Sequence, residues 1–206
     1  MGLYKLIGII NYGLGNTNAL INLYKKINIP SKLIDKPIDF ENVERIILPG
    51  VGSFDYAMSR LNSSNLRDEL ENFVLNKKLP VLGICVGMQI MFKKSQEGLE
   101  NGLGWIDGEV EILSNKIEKN IFLPHMGWNN LELFHLKLLK DIDDLYFYFL
   151  HSYACLDQMK FENFAITNYE TNFVSAFSYQ NIHAVQFHPE KSHSAGLKLL
   201  KNFSEI

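Results

Sequence analysis

Apolar positions in the first ninety residues come in two textures. Short continuous runs of four or five read as strands buried on both faces. Stretches in which apolar residues recur every three or four positions read as amphipathic helices. Leu6-Ile7-Gly8-Ile9-Ile10 is the first run, and it enters a turn rich in glycine and asparagine, Asn11-Tyr12-Gly13-Leu14-Gly15-Asn16. Asn16 or Thr17 then caps a helix with Leu20, Leu23, Tyr24 and Ile27 inward, which Pro30 ends. A strand follows over 31–34, a linker over 35–44, and a strand from Arg45 to Leu48 that stops at Pro49-Gly50-Val51-Gly52-Ser53-Phe54. The spacing of Leu66, Leu70, Phe73 and Val74 predicts a helix over 65–76, and Leu79-Pro80-Val81-Leu82-Gly83-Ile84 reads as the next strand. Strand and helix in alternation mean crossover connections and a parallel sheet.

After Lys94 the texture changes. A turn-dense loop over 97–105 is followed by short apolar or alternating runs at 109–112, 121–123, 145–150, 164–167, 174–179 and 182–186, with a helical turn at 136–139. Leu197, Leu200 and Phe203 predict a closing helix over 194–203. The expected fold class is α/β: a single domain over 1–206, with a mostly parallel central sheet flanked by helices and additional antiparallel strands in the second half. No internal repeat or low-complexity segment interrupts it.

Composition narrows the function. With 206 residues, 47% of them hydrophobic, the chain can build a sizeable core. A net charge of -3 carries no basic footprint for nucleic acid. The apolar stretches are too short to span a membrane, and the first ten residues lack the shape of a secretory leader. Two cysteines, Cys85 and Cys155, are no disulfide framework and suit a reducing compartment, so a cytoplasmic setting is expected.

The candidate chemistry begins at Gly83-Ile84-Cys85-Val86-Gly87. A strand that turns sharply into a helix between two glycines lifts its central side chain above the sheet edge, the arrangement of a nucleophile elbow, here with a thiol. A following helix N-terminus would favour the thiolate. The same fragment also fits a buried structural cysteine. A nucleophilic thiol needs a base, and the base an orienting group. Of six histidines, His188 stands out in Gln186-Phe187-His188-Pro189-Glu190-Lys191-Ser192, where a strand delivers it to a proline turn and Glu190 can point to the same side. By itself His-x-Glu is equally a strand-end histidine beside a surface acid. Gly50, Val51 and Gly52 follow a buried strand and leave backbone N–H groups free for a developing oxyanion, to which Val86 would add another. No histidine has cysteine or carboxylate companions at ligand spacing, so no metal is expected.

Together, Pro-Gly-Val-Gly (49–52), Gly-Ile-Cys-Val-Gly-Met-Gln (83–89) and Gln-Phe-His-Pro-Glu-Lys-Ser (186–192) resemble the signature blocks of class I, triad-type glutamine amidotransferases, whose fold is flavodoxin-like. The resemblance runs the length of the chain. It implies a Cys85–His188–Glu190 triad, L-glutamine as substrate and no cofactor. It also implies Gln89 and Glu97 at the glutamine head group, with Ser152 and Tyr153 nearby. Asn-Tyr-Gly-Leu-Gly-Asn (11–16), Pro-His-Met-Gly-Trp-Asn (124–129) and Tyr-Phe-Leu-His-Ser-Tyr (148–153) are similar to blocks of one branch, the glutaminase subunits of imidazole glycerol phosphate synthase. That branch implies a heterodimer with a (β/α)8-barrel cyclase that receives the ammonia, with Trp128, Tyr148 and Lys191 at the partner-facing mouth. Asn11, also expected to face the partner, stands where the branch usually has Asp. The same chemistry fits a paralogous glutaminase subunit serving another synthase, such as one amidating a surface-polysaccharide sugar. A catalytically silent interaction protein has no use for an intact triad, and a stand-alone cysteine hydrolase has none for the Met-Gly-Trp-Asn block.

Overall fold

The strands that carry the candidate site are buried throughout, and they meet at the middle of one sheet. The structure, a computed structural model, describes residues 5–116 and 121–206. The first half alternates as expected: β1 (Ile7–Ile10), α1 (Thr17–Lys26), β2 (Ser31–Ile34), β3 (Arg45–Gly50), α2 (Phe54–Ser63), α3 (Arg67–Glu71), β4 (Val81–Cys85) and the single turn α4 (Val86–Gln89). The second half is mostly strand: β5 (Phe92–Ser95), β6 (Ile106–Ile112), β7 (His125–Asn130), β8 (Glu132–Phe134), β9 (Tyr146–His151), β10 (Tyr153–Ala154), β11 (Asn163–Tyr169), β12 (Thr171–Tyr179) and β13 (Ile182–Val185), closed by α5 (His193–Glu205).

The main sheet has eight strands in the order β2-β1-β3-β4-β13-β12-β11-β8. The first five run parallel, and β12, β11 and β8 continue it antiparallel. This is the expected architecture. Its centre is β3, β4 and β13, every residue of which is buried, so their C-terminal ends form the crevice where α/β sheets build sites. Leu20 and Tyr24 of α1 and Leu199, Leu200 and Phe203 of α5 are buried in the same apolar core.

A two-stranded ribbon, β7 with β9, stands off the sheet. Paired residues share a face. His125 with His151, Gly127 with Phe149 and Asn129 with Phe147 face one way; Met126 with Leu150, Trp128 with Tyr148 and Asn130 with Tyr146 face the other. Phe147 and Phe149 are fully buried, whereas Met126, Tyr146 and Leu150 are exposed.

Several local expectations shift. Phe54, Ala57, Met58 and Leu61 recur at helical spacing and are buried on α2, a helix hidden behind the glycine turn that precedes it. The helix predicted over 65–76 buries Leu66, Leu70, Phe73 and Val74 as expected, but beyond Glu71 it widens into a π-turn over Asn72–Asn76. The helix after Cys85 lasts one turn, because Ile90, Met91 and Phe92 all enter the core and the chain continues as β5. The strand expected at 121–123 is not formed; pairing with β9 draws 125–130 into β7 instead, although that segment shows no apolar alternation. Residues 1–4, part of the run inspected for a leader, lie outside the described residues.

Candidate active site

Backbone crowding builds the elbow. A Cβ on Gly87 would lie 1.9 Å from the Leu48 carbonyl oxygen, and one on Gly83 2.7 Å from Met91 Cε. Only glycine lets β3, β4 and α4 approach so closely. Between them Cys85 is held at φ 54°, ψ -113°, a left-handed conformation that non-glycine residues enter at a cost. The strain aims the thiol out of the sheet plane, where it donates to the Leu150 carbonyl oxygen at 3.9 Å.

His188 comes from the exit of β13. Phe187 anchors this segment by stacking on Phe147, with centroids 4.1 Å apart. The His188 N–H donates to the Tyr148 carbonyl at 2.9 Å, and Ser192 Oγ donates to the His188 carbonyl at 2.6 Å, so the backbone on both sides of the imidazole is tied. Pro189 starts a 3-10 turn that brings Glu190 Oε1 to 2.9 Å from His188 Nδ1. Cys85, which lines the same cavity, also acts on this imidazole. Burial alone would disfavour the imidazolium, but the hydrogen bonds and charges of Cys85 and Glu190 outweigh it and push His188 up to about 10. Glu190 Oε2 is buried without a hydrogen-bond partner among the described residues. A thiol, an imidazole and a carboxylate therefore stand in line, with the imidazole poised to hold a proton at neutral pH.

Beside the thiol runs the loop at 49–52. Tyr12 Oη donates to the Pro49 carbonyl at 2.7 Å, a Cβ on Gly15 would touch Pro49 Cβ at 2.6 Å, and a Cβ on Gly50 would lie 2.3 Å from the Gly87 nitrogen. Burial, reinforced by the nearby Cys85, drives the Tyr12 phenol far above its ordinary range, so it stays a neutral donor. Pro49 and Gly50 are thus clamped, with Gly50 beneath the elbow, paired with Cys85 across the strands. Val51 and Gly52 are less crowded. Val51 is exposed, and Gly52 sits at φ 89° with no atom nearer its would-be Cβ than Tyr56 Cδ1 at 3.8 Å. Val51, Gly52 and Val86 line the cavity.

That cavity has a volume of about 600 Å³ and is walled by Cys85, His188, Glu190, Glu97, Ser152 and Lys191 among others, enough for an amino-acid substrate. Glu97 is fixed by a reciprocal clasp. Its Oε2 accepts from the Phe54 N–H at 2.8 Å, at the start of α2, while Asp55 accepts from the N–H groups of Leu99 and Glu100 at 2.9 and 3.0 Å. A Cβ on Gly98 would sit 1.9 Å from Asp55 Oδ1, so the clasp also requires that glycine. Burial raises the Glu97 carboxyl, the Phe54 N–H lowers it and Asp55 raises it again, with a net upward shift. Ser152 reaches the cavity; Gln89 and Tyr153 do not line it. Gln89 lies buried behind the nucleophile, its amide nitrogen donating to the Tyr153 carbonyl at 2.9 Å and to Gln186 Oε1 at 3.1 Å. Asp55 and Gln186 are residues of the site that the sequence patterns do not single out. Gln186 carries a signal all the same, since it lies two positions before His188 on the same strand exit and so on the same side.

Around the mouth, Lys191 Nζ lies 5.2 Å over the Tyr148 ring, and Trp128 is stacked between Tyr146 and His193 at 5.4 and 5.1 Å. Asn11 is turned toward β2, donating to Asp35 Oδ1 at 2.7 Å. An aspartate there would face another carboxylate, which gives the amide a local reason.

The fold and this constellation are those of a class-I glutamine amidotransferase, and comparison with known proteins agrees. The sequence model of the family described as "Glutamine amidotransferase class-I" matches residues 8–206. The chain is 47% identical over 204 residues to the imidazole glycerol phosphate synthase subunit HisH of Bdellovibrio bacteriovorus, covering 98% of this chain and 100% of that one. It is 41% identical to the protein of the same name from Leptospira borgpetersenii, with the same coverage. Among solved structures, that of PurLQS from Thermotoga maritima superposes with a TM-score of 0.68 at 14% identity, covering 97% of this chain and 97% of that one. That likeness speaks for the fold. The chain belongs to the class-I glutamine amidotransferase family, in the branch of the synthase subunit HisH.

Proposed function

We propose that this chain is the glutaminase subunit of imidazole glycerol phosphate synthase, in histidine biosynthesis, with residues 1–206 acting as one catalytic domain. The observation that carries the chemistry is the buried Cys85–His188–Glu190 line opening into a cavity of amino-acid size. The Cys85 thiolate attacks the side-chain amide carbon of glutamine. The oxyanion that forms accepts N–H groups from Val86 and from the Val51–Gly52 segment. The His188 imidazolium gives its proton to the departing nitrogen, and the C–N bond breaks to release ammonia and leave a γ-glutamyl thioester. His188, now neutral, takes a proton from water, whose oxygen attacks the thioester; glutamate leaves and the thiolate returns. Glu190 keeps the imidazole oriented and offsets its charge throughout. Glu97, held at the cavity wall, meets the substrate's α-ammonium, and Ser152 lies close to the head group.

The ammonia goes to a (β/α)8-barrel cyclase. The surface that receives it is the outer face of β7–β9, where Met126, Trp128, Tyr146 and Leu150 expose apolar and aromatic area beside Lys191 and the cavity mouth. Tryptophan and tyrosine are the residues most often found as interface anchors. Asn11 has a partner within this chain, Asp35, so the amide there fits the same synthase. Two free cysteines suit a cytoplasmic setting, and among the described residues no helix is long and apolar enough to cross a membrane.

The test is ammonia release from glutamine by the purified chain, alone and titrated with the cognate barrel protein carrying its ligand. The rate rises and saturates at one barrel per chain. Full activity in the lone chain, flat on titration, would overturn the proposed role as part of a synthase.

A further inference from the structure

Behind the nucleophile runs a chain of buried donors that the triad does not use. Gln186 is fully buried, and its Nε2 points at Cys85 Sγ from 3.8 Å. Its Oε1 accepts from Gln89 Nε2 at 3.1 Å, and that same nitrogen donates to the Tyr153 carbonyl at 2.9 Å. The Tyr153 carbonyl is shared with His151 Nδ1 at 3.0 Å, His151 Nε2 meets His125 Nδ1 at 3.0 Å, and His125 Nε2 meets Asn129 Nδ2 at 3.3 Å.

These contacts close in one direction only. A carbonyl cannot donate, so His151 carries its proton on Nδ1 and accepts at Nε2. His125 must then donate from Nδ1 and accept at Nε2, and the Asn129 amide supplies that proton while its other N–H goes to the Asn168 carbonyl at 3.0 Å. Burial keeps both imidazoles neutral, holding His125 down to about 4, and His151 down to about 3 with the help of its neighbour. No proton in the chain is left to choose its place. Gln89 Nε2 uses both its hydrogens, on Tyr153 and on Gln186 Oε1, which forces the Gln186 amide to present Nε2, and not its oxygen, to the sulfur.

We propose that Gln186 is a further catalytic residue, an N–H donor that stabilises and aims the Cys85 thiolate, that Gln89 is a positioning residue that locks its orientation, and that His151, His125 and Asn129 hold in place the Tyr153 carbonyl to which Gln89 donates. The inference rests on Cys85 being the nucleophile. It gives the Gln89 amide nitrogen a role behind the sulfur. Donors to a sulfur anion favour it over the thiol, whose own hydrogen points to Leu150. The chain also ties the thiolate to Asn129 on β7, the ribbon whose outer face is the proposed partner surface, through backbone-paired residues of one inner face.

The experiment is alkylation of Cys85 by iodoacetamide in the intact chain as a function of pH, read by mass spectrometry of the Cys85 peptide, which needs neither glutamine nor partner. Gln186→Leu moves the alkylation midpoint to higher pH, with a rate roughly tenfold lower at pH values below both midpoints. Gln186→Glu, equal in size, removes the donor and moves it further in the same direction, so the result does not hang on one variant folding. His125→Leu gives a smaller shift of the same sign. His125→Gln, whose amide both donates and accepts, restores it. A Gln186→Leu or Gln186→Glu protein that keeps its fold by circular dichroism and its original profile overturns the proposal. A His125→Leu protein that loses thermal stability with no change in profile overturns the positioning role of the distal members. Failure of the underlying reading looks different: Cys85→Ala would then keep glutaminase activity.

Discussion

Replacing Glu190 by Gln isolates the role of the carboxylate charge. The side chain keeps its volume, and its amide oxygen can still accept from His188 Nδ1. What disappears is a charged acceptor at 2.9 Å, buried beside an imidazole that is itself only 3% exposed. A buried hydrogen bond to a charged group contributes roughly 1.5–3 kcal/mol, which corresponds to about a 10- to 150-fold fall in kcat/KM. A second cost adds to it. Glu190 Oε2 has no hydrogen-bond partner among the described residues, so the amide nitrogen that replaces it is a buried donor with none of them to bond. The pH profile should move with the rate. His188 is raised above its ordinary value by Cys85 and Glu190 against burial, so its proton persists through neutral pH and is lost as pH approaches about 10. Without the Glu190 charge, burial gains weight and the alkaline limb moves to lower pH. The same linkage acts on stability: a group whose folded pKa is raised contributes fully below about 6.5, and that contribution fades as pH climbs toward about 10. Glu190→Gln should therefore be least destabilising at high pH. The assay is kcat/KM for glutamine against pH in the complex with the barrel protein, alongside thermal unfolding of the lone chain. An unchanged alkaline limb, with a rate within twofold of the parent, would remove the carboxylate from the mechanism.

Cys85→Ala should abolish glutaminase activity and leave thermal stability within about 1 kcal/mol, since the one atom removed lines the cavity and leaves no new void in the core. An electrophilic glutamine analogue should label Cys85 and spare Cys155, which is buried with its thiol pushed up to about 11; labelling of Cys155 first would reassign the nucleophile. In the 49–52 loop the two glycines should behave differently. Gly50→Ala drives a Cβ to within 2.3 Å of the Gly87 nitrogen and should damage folding and activity together, whereas Gly52→Ala meets no atom closer than 3.8 Å and should chiefly alter the partner-dependent rate. The conformational bias at φ 89° amounts to about 1–2 kcal/mol, and equal melting losses in the two variants would count against a hinge confined to Val51 and Gly52. Asp55→Ala frees the Leu99 and Glu100 N–H groups and should raise KM for glutamine several-fold at nearly constant kcat; a kcat effect alone would place the clasp elsewhere in the cycle.

Much of this protein was legible in its sequence. Apolar runs for β1, β3 and β4 marked strands that no edge or solvent face could accommodate, and all three are interior strands of the sheet. The glycines flanking Cys85 told of a backbone approach that only glycine permits, and the structure supplies the atoms they make room for. The spacing from His188 to Glu190 placed acid and base on one side of an extended segment. Each of these is a local property, set by residues within a few positions of one another. What sequence could not reach depends on neighbours far along the chain. β7 is a strand because β9 pairs with it, α4 stops after one turn because three following side chains have a core to enter, and the 49–52 loop is clamped by Tyr12, Gly15 and Gly87. Gln89 offered the same amide to a substrate or to the interior. Only packing decided that it turns inward, since the carbonyl of Tyr153 and the side chain of Gln186 arrive beside it from 64 and 97 residues away.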